Sequence, residues 1–99
     1  MLIHSVFFWL KPETTAAQRD AMQKGLESLR AIKSTKAVYV GTPAALPDRP
    51  TRDSSYAFAL TVLFKDIAAH DAYQIDPLHK AFIQEHSAIW ARVQVYDAL

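Results

Sequence analysis

Residues 2–10 read L-I-H-S-V-F-F-W-L, a run of aromatic and β-branched side chains that predicts a strand. One parity carries Leu2, His4, Val6, Phe8 and Leu10, the other Ile3, Ser5, Phe7 and Trp9. Neither set suits water, so both faces of this strand are expected to be covered. Lys11-Pro12 ends it, because proline has no donor for the ladder. Thr15 with Gln18 three residues on forms a capping box, and Met22, Leu26, Leu29 and Ile32 make a stripe that predicts an amphipathic helix of about five turns. Arg19, Gln23, Glu27 and Arg30 lie off the stripe, whereas Gly25 lies near it, either as a point of close approach to the sheet or as a tolerated glycine. Residues 37–41 form a short strand. Residues 42–54, with Pro43, Pro47 and Pro50 among mixed charges, form an irregular connection, either a flap or a surface link. A second long strand follows over 56–64, with Tyr56, Phe58, Leu60, Val62 and Phe64 on one face and Ala57, Ala59, Thr61 and Leu63 on the other. Asp66 caps a short helix over about 67–73, Asp76-Pro77 restarts a helix that runs to about Trp90, and 93–96 form a last strand.

The order β-α-β-β-α-β within one domain, 1–99, predicts an α+β, ferredoxin-like fold: a four-stranded antiparallel sheet with the first and third strands central and both helices on one face. Two helices cover only that face. Strands 1 and 3 are apolar on both faces, so the other would expose Phe, Leu and Val in a patch of several hundred Å², a size that is rare on a monomer. A second copy packed sheet against sheet is the economical cover, so a homodimer is expected, in preference to the polar, proline-rich 42–54 segment folding over the sheet.

Composition narrows the function classes. The chain of 99 residues is 51% hydrophobic and 21% charged, with a formal net charge of +1, which suits a globular protein and argues against a nucleic-acid or anionic-membrane partner. No cysteine is present, so disulfides, thiolate nucleophiles and zinc–thiolate sites are excluded. Apolar runs fall short of the ~20 residues of a membrane span, and the start lacks the basic n-region of a signal peptide, so a cytoplasmic location is expected. Gly25 and Gly41 are the only glycines, so there is no phosphate-binding loop, and no serine sits in a nucleophile elbow.

Candidate chemistry therefore rests on histidine. His79 falls at the third position of the last helix, where the positive helix end disfavours protonation and the Asp76 carboxylate favours it. Phe82, Ile83 and His86 follow on its face, so it points toward the sheet. It reads either as a base or as a core histidine bonded to a carbonyl or water. Tyr73 just upstream is either a donor to a developing oxyanion or a packing tyrosine. His86 lies two turns beyond His79, too far for a shared metal, and Ala68 and Asp71 around His70 suggest an exposed helix. His4 shares a side with Phe8, and Asp97 reads as solvated. No metal-ligand spacing is evident, so neither a metal site nor a cofactor is expected.

The opening I-H-S-V-F-F-W-L-K-P, the segment D-A-Y-Q-I-D-P-L-H-K-A-F over 71–82 and the ending V-Q-V-Y-D-A-L resemble the stress-responsive A/B barrel (Dabb) family across the whole chain. The resemblance implies a ferredoxin-like subunit in a dimeric α+β barrel. It also implies, from a plant member that closes a linear polyketide thioester by a cofactor-free aldol step, a histidine base at the P-x-H position and an assisting tyrosine upstream. Those places hold His79 and Tyr73; His4 matches an N-terminal histidine of the family pattern, and Phe58 stands where the plant enzyme has a further pocket histidine. The resulting expectation is a small cofactor-independent enzyme for an enolisable or polyketide-like substrate, with a pocket between sheet and helices lined by His4, Phe8, Phe58 and Phe82. The alternatives are a non-catalytic dimer that binds a small apolar or phenolic ligand, and a cofactor-free monooxygenase.

Overall fold

A computed structural model describes residues 1–99. The elements run β1 (Leu2–Leu10), α1 (Ala16–Ser28), β2 (Thr35–Gly41), β3 (Phe58–Phe64), α2 (Ile67–Ile75), α3 (Pro77–His86) and β4 (Trp90–Ala98). The sheet order is β2-β3-β1-β4 with every pair antiparallel, the ferredoxin-like arrangement with β1 and β3 at the centre. Register follows side-chain parity: His4, Val6 and Phe8 of β1 face Val62, Leu60 and Phe58 of β3. On the other flank the same three face Asp97, Val95 and Val93 of β4. This parity packs under the helices, where Met22, Leu26, Tyr73 and Phe82 complete the core. The opposite parity, Ile3, Phe7, Trp9, Thr61 and Leu63, lies on a face that no helix covers.

Local chemistry sets the helix ends. Thr15 Oγ1 accepts from the Gln18 N–H at 3.1 Å and Gln18 Oε1 accepts from the Thr15 N–H at 2.9 Å, closing the predicted capping box. The helix is shorter than its stripe suggests. After Ser28 the chain tightens into a 3₁₀ turn, Leu29–Ala31, whose three-residue spacing still turns Leu29 and Ile32 into the core. The Arg30 guanidinium donates to the Val38 carbonyl and ties this turn to β2.

Several boundaries differ from the sequence expectation: β2 begins at Thr35 rather than at residue 37, α2 runs on to Ile75, and β4 extends to Ala98. β3 begins at Phe58, not Tyr56. The Ala57 N–H still donates to the Phe8 carbonyl at 2.7 Å, but the Tyr56 ring lies against Phe7 and Trp9, on the face opposite Phe58. α3 stops at His86, and Trp90 opens β4 rather than ending the helix. Its ring packs on Phe8 and Phe82, and its indole N–H donates to Met22 Sδ at 3.3 Å, an anchorage that draws the chain into the sheet three residues early. The irregular segment extends through residue 57 and does not cover the open sheet face. It meets that face at Trp9, whose indole donates to Ser55 Oγ at 2.9 Å, and leaves Ile3, Tyr39 and Tyr96 exposed. No helix is long and apolar enough to cross a membrane.

Candidate functional site

The break between α2 and α3 is made by one residue acting twice. Asp76 closes α2 by donating its N–H to the Tyr73 carbonyl at 3.2 Å, and opens α3 by accepting the Leu78 N–H at 2.8 Å on its carboxylate, with Pro77 at the first helical position. The reversal carries Tyr73, in the last turn of one helix, and His79, in the first turn of the next, into contact at a centroid separation of 4.6 Å. Both line a cavity of about 170 Å³ between the helices and the β1–β4 side of the sheet. Val93 and Val95 of β4 line the cavity and are still exposed, so it opens to solvent on that flank.

Of the expected site residues, the structure brings His4, Phe8, Tyr73, His79 and Phe82 to the cavity wall. Phe58 is not among them. It is 1% exposed, packed in the core at the far end of β3 beneath the Arg19 guanidinium. Trp90, Val93 and Val95 also line the cavity; the sequence pattern places the first at the helix end and gives no register for the strand that carries the others. The shared parity of Val93, Val95 and Asp97 was the available signal.

The cavity wall is mainly apolar, yet two buried polar atoms on its lining residues lack a hydrogen-bond partner, Tyr73 Oη and His79 Nδ1. Leaving such atoms unpaired costs roughly 1–3 kcal/mol each, a cost usually offset by a ligand or water. Burial holds the His79 imidazole below the ordinary histidine value of 6.5; the Gln74 backbone, near the ring but outside hydrogen-bond geometry, opposes, His4 adds, Asp76 opposes and His70 adds. Burial likewise raises the Tyr73 hydroxyl well above its ordinary value. The pair at neutral pH is thus a neutral imidazole that can accept a proton and a phenol that keeps its own and can donate a hydrogen bond. A second hollow, of about 180 Å³, lies on the open sheet face among Phe7, Trp9, Tyr56, Arg92 and Tyr96, and has no unpaired buried polar atom.

Two further expectations are corrected. Asp97 is not free in solvent, since its Oδ1 lies 2.5 Å from Nδ1 of the buried His4. The cross-strand register of β1 and β4 sets these two residues opposite each other. His70 is not an exposed helix residue: it is half-buried, with its ring 5.2 Å from His4 and 5.5 Å from Phe64. His86 is buried against Phe82, away from the cavity wall.

No curated protein matches the chain. Solved structures do. A Dabb family protein with a ferredoxin-like fold from Mesorhizobium loti is 22% identical over 99% of this chain and 94% of that one, with a TM-score of 0.79. A dimeric ferredoxin-like protein of unknown function from Thermobifida fusca is 21% identical over 98% and 88%, with a TM-score of 0.80. A hydroxynitrile lyase from Passiflora edulis is 20% identical over 98% and 90%, with a TM-score of 0.82. At these identities the likeness establishes the fold. The family model described as the stress responsive A/B barrel domain matches residues 2–99, so the chain belongs to that family.

Proposed function

We propose that the cavity is the active site of a small enzyme that abstracts a proton from an enolisable substrate, with His79 as general base and Tyr73 as donor to the enolate oxygen. The observation that carries this reading is the pair of buried, unpartnered polar atoms, Tyr73 Oη and His79 Nδ1, on adjoining rings of one apolar cavity. Neutral His79 takes the proton from carbon. The electron pair moves onto the neighbouring carbonyl oxygen, and Tyr73 donates a hydrogen bond to the charge that forms there. Phe8, Phe82 and Trp90 supply apolar walls. A cavity of about 150 Å³ holds one benzene ring, so 170 Å³ suits a substrate built on a single ring. We further propose that the chain works as a homodimer through its open sheet face, as the Thermobifida neighbour is described as dimeric.

Deuterium exchange at the acidic carbon of single-ring aryl β-dicarbonyl compounds, followed by NMR, tests the chemistry. Wild type accelerates exchange; His79→Ala loses more than about 100-fold, and Tyr73→Phe loses on the order of 100-fold. Exchange that His79→Ala leaves unchanged removes His79 from the reaction. Saturable binding of the same compounds without exchange, tolerant of His79→Phe, favours a ligand-binding dimer instead.

A further inference from the structure

Beside the cavity, three metal-ligating side chains from three elements converge: His4 of β1, His70 of α2 and Asp97 of β4. Each offers one ligand atom, and these atoms lie within 4.8 Å of one another. Only His4 also belongs to the cavity wall. We propose that this cluster is a binding site for one divalent transition-metal ion, of the class that takes imidazole and carboxylate together, such as Zn²⁺ or Co²⁺.

The placement follows from the fold. Pairing of His4 with Asp97 across β1 and β4 brings Nδ1 to 2.5 Å from Oδ1, and α2 lays His70 over them at a ring separation of 5.2 Å. Two neutral imidazoles and one carboxylate give the charge and donor set of a three-ligand site with an open position. Bonds of about 2.0–2.2 Å set ligand atoms about 3.4 Å apart in a tetrahedral site, so the His4–Asp97 pair, now at 2.5 Å, must open by about 1 Å to admit the ion, and the longer separations, up to 4.8 Å, must close by a similar amount. The means are present: Asp97 is 42% exposed and His70 is 20% exposed, so both side chains can turn, while buried His4 stays as the fixed point. A supporting partner is also in place. The Asp71 carboxylate lies 3.1 Å from Nδ1 of His70, the arrangement by which a carboxylate orients a ligating imidazole and leaves its other nitrogen for the metal. That other nitrogen, Nε2, has only a 3.3 Å contact with the Gln74 amide, a weak bond for an ion to displace. An ion here would tie the end of β4 to α2 and to the central strand.

The test titrates tag-free, chelator-treated protein with Co²⁺, read by visible absorption and calorimetry. One equivalent per chain is expected, with the absorption of a low-symmetry nitrogen–oxygen site. His70→Ala and Asp97→Asn, both at partly exposed positions and checked for folding by circular dichroism, each weaken binding by at least about 10-fold, the lower bound known for supporting residues of metal sites. Wild type alone gives a second readout: substoichiometric Co²⁺ broadens the ring-proton NMR signals of His4 and His70 ahead of those of His79 and His86. Binding that both substitutions leave intact, broadening of His79 or His86 first, or no stoichiometric uptake overturns the site. None of these readouts depends on turnover, so the result stands apart from the role of His79 as a base.

Discussion

At the scale of single residues, the places of His79 and, through the family resemblance, of His4 are legible in the sequence, whereas the meeting of His4 with His70 and Asp97 is not. The Asp76-Pro77 signal fixes where α3 starts, and therefore which turn His79 occupies. The other three lie 27 to 93 positions apart, on β1, α2 and β4, and meet only through strand register and helix placement. Phe58 shows the converse. Its parity was right and it pairs with Phe8 of the cavity wall, but it stands on the β3 side under Arg19, away from the β4 flank that the cavity occupies, a placement that alternation does not encode. Burial of His79 has a consequence for stability. Its folded pKa lies below the ordinary 6.5, so between these two values the unfolded chain binds a proton that the fold does not. Its contribution is complete above 6.5 and is lost as pH falls through that window toward the folded value. Urea unfolding from about pH 8 to about pH 5 checks this. Wild type is expected to lose stability with acid more steeply than His79→Phe, which has no imidazole to protonate; parallel curves would show that His79 is as well solvated in the fold as in the unfolded chain. Turnover is expected to decline over the same acid limb in the exchange assay, as the base becomes protonated.

At the scale of elements, periodicity carried most of the fold, since β1, α1, β3 and the split α2–α3 pair all emerge from side-chain alternation, stripes and caps. It failed at Trp90, where a residue compatible with a helix end is pulled into β4 by packing on Phe8 and Phe82, contacts distant in sequence. Gly25 was ambiguous in the sequence, and the structure assigns its role to a close approach between helices rather than to the sheet. A Cβ at this position would lie 2.8 Å from Cδ2 of His86 and 3.2 Å from Cδ1 of Phe82. Two effects oppose in Gly25→Ala: helix propensity favours alanine by about 1 kcal/mol, while overpacking a core contact costs about 1–3 kcal/mol. Overpacking is expected to win, lowering the urea midpoint at constant slope. In a His86→Ala background the obstructing ring is gone, and the same substitution is expected to become neutral or stabilising. A cycle with no coupling between the two positions would mean that α1 shifts freely away from α3. Asp76→Ala removes the carboxylate that caps α3, at a cost of about 1 kcal/mol. Because that cap also fixes the angle between the helices, the cost is expected to appear in exchange rate as well as in unfolding.

At the scale of the whole molecule, the sheet has one face finished and one unfinished. Under the helices, the even-numbered residues of β1 and β3 build the core; on the other side, Phe7 and Trp9 are partly covered, while Ile3 is 45%, Tyr39 60% and Tyr96 62% exposed. Sequence alternation already showed that neither parity of β1 suits water, and the structure leaves most of this face bare because two layers of helix are not available and the 42–57 segment reaches it only near Phe7 and Trp9. A two-fold axis lying in the plane of the contact would bring the same patch from each subunit together, the self-complementary geometry of an isologous interface. Such an interface needs about 800 Å² from each partner to be stable, and the molecule is broad and flat, 36 Å by 30 Å across and 17 Å thick. Light scattering at micromolar concentration is therefore expected to give twice the chain mass of 11.1 kDa. Phe7→Lys with Tyr96→Lys places four like charges at the centre of the joined faces and is expected to yield a monomer. The far-ultraviolet spectrum should stay intact, because neither residue contributes to the core under the helices. A wild type that stays monomeric throughout this range would remove the homodimer, and with it the account of why β1 is apolar on both faces. A charged variant that becomes monomeric yet still exchanges the test compounds would instead show that Tyr73, His79 and their cavity are complete within one chain, with the dimer serving to cover the sheet rather than to build the site.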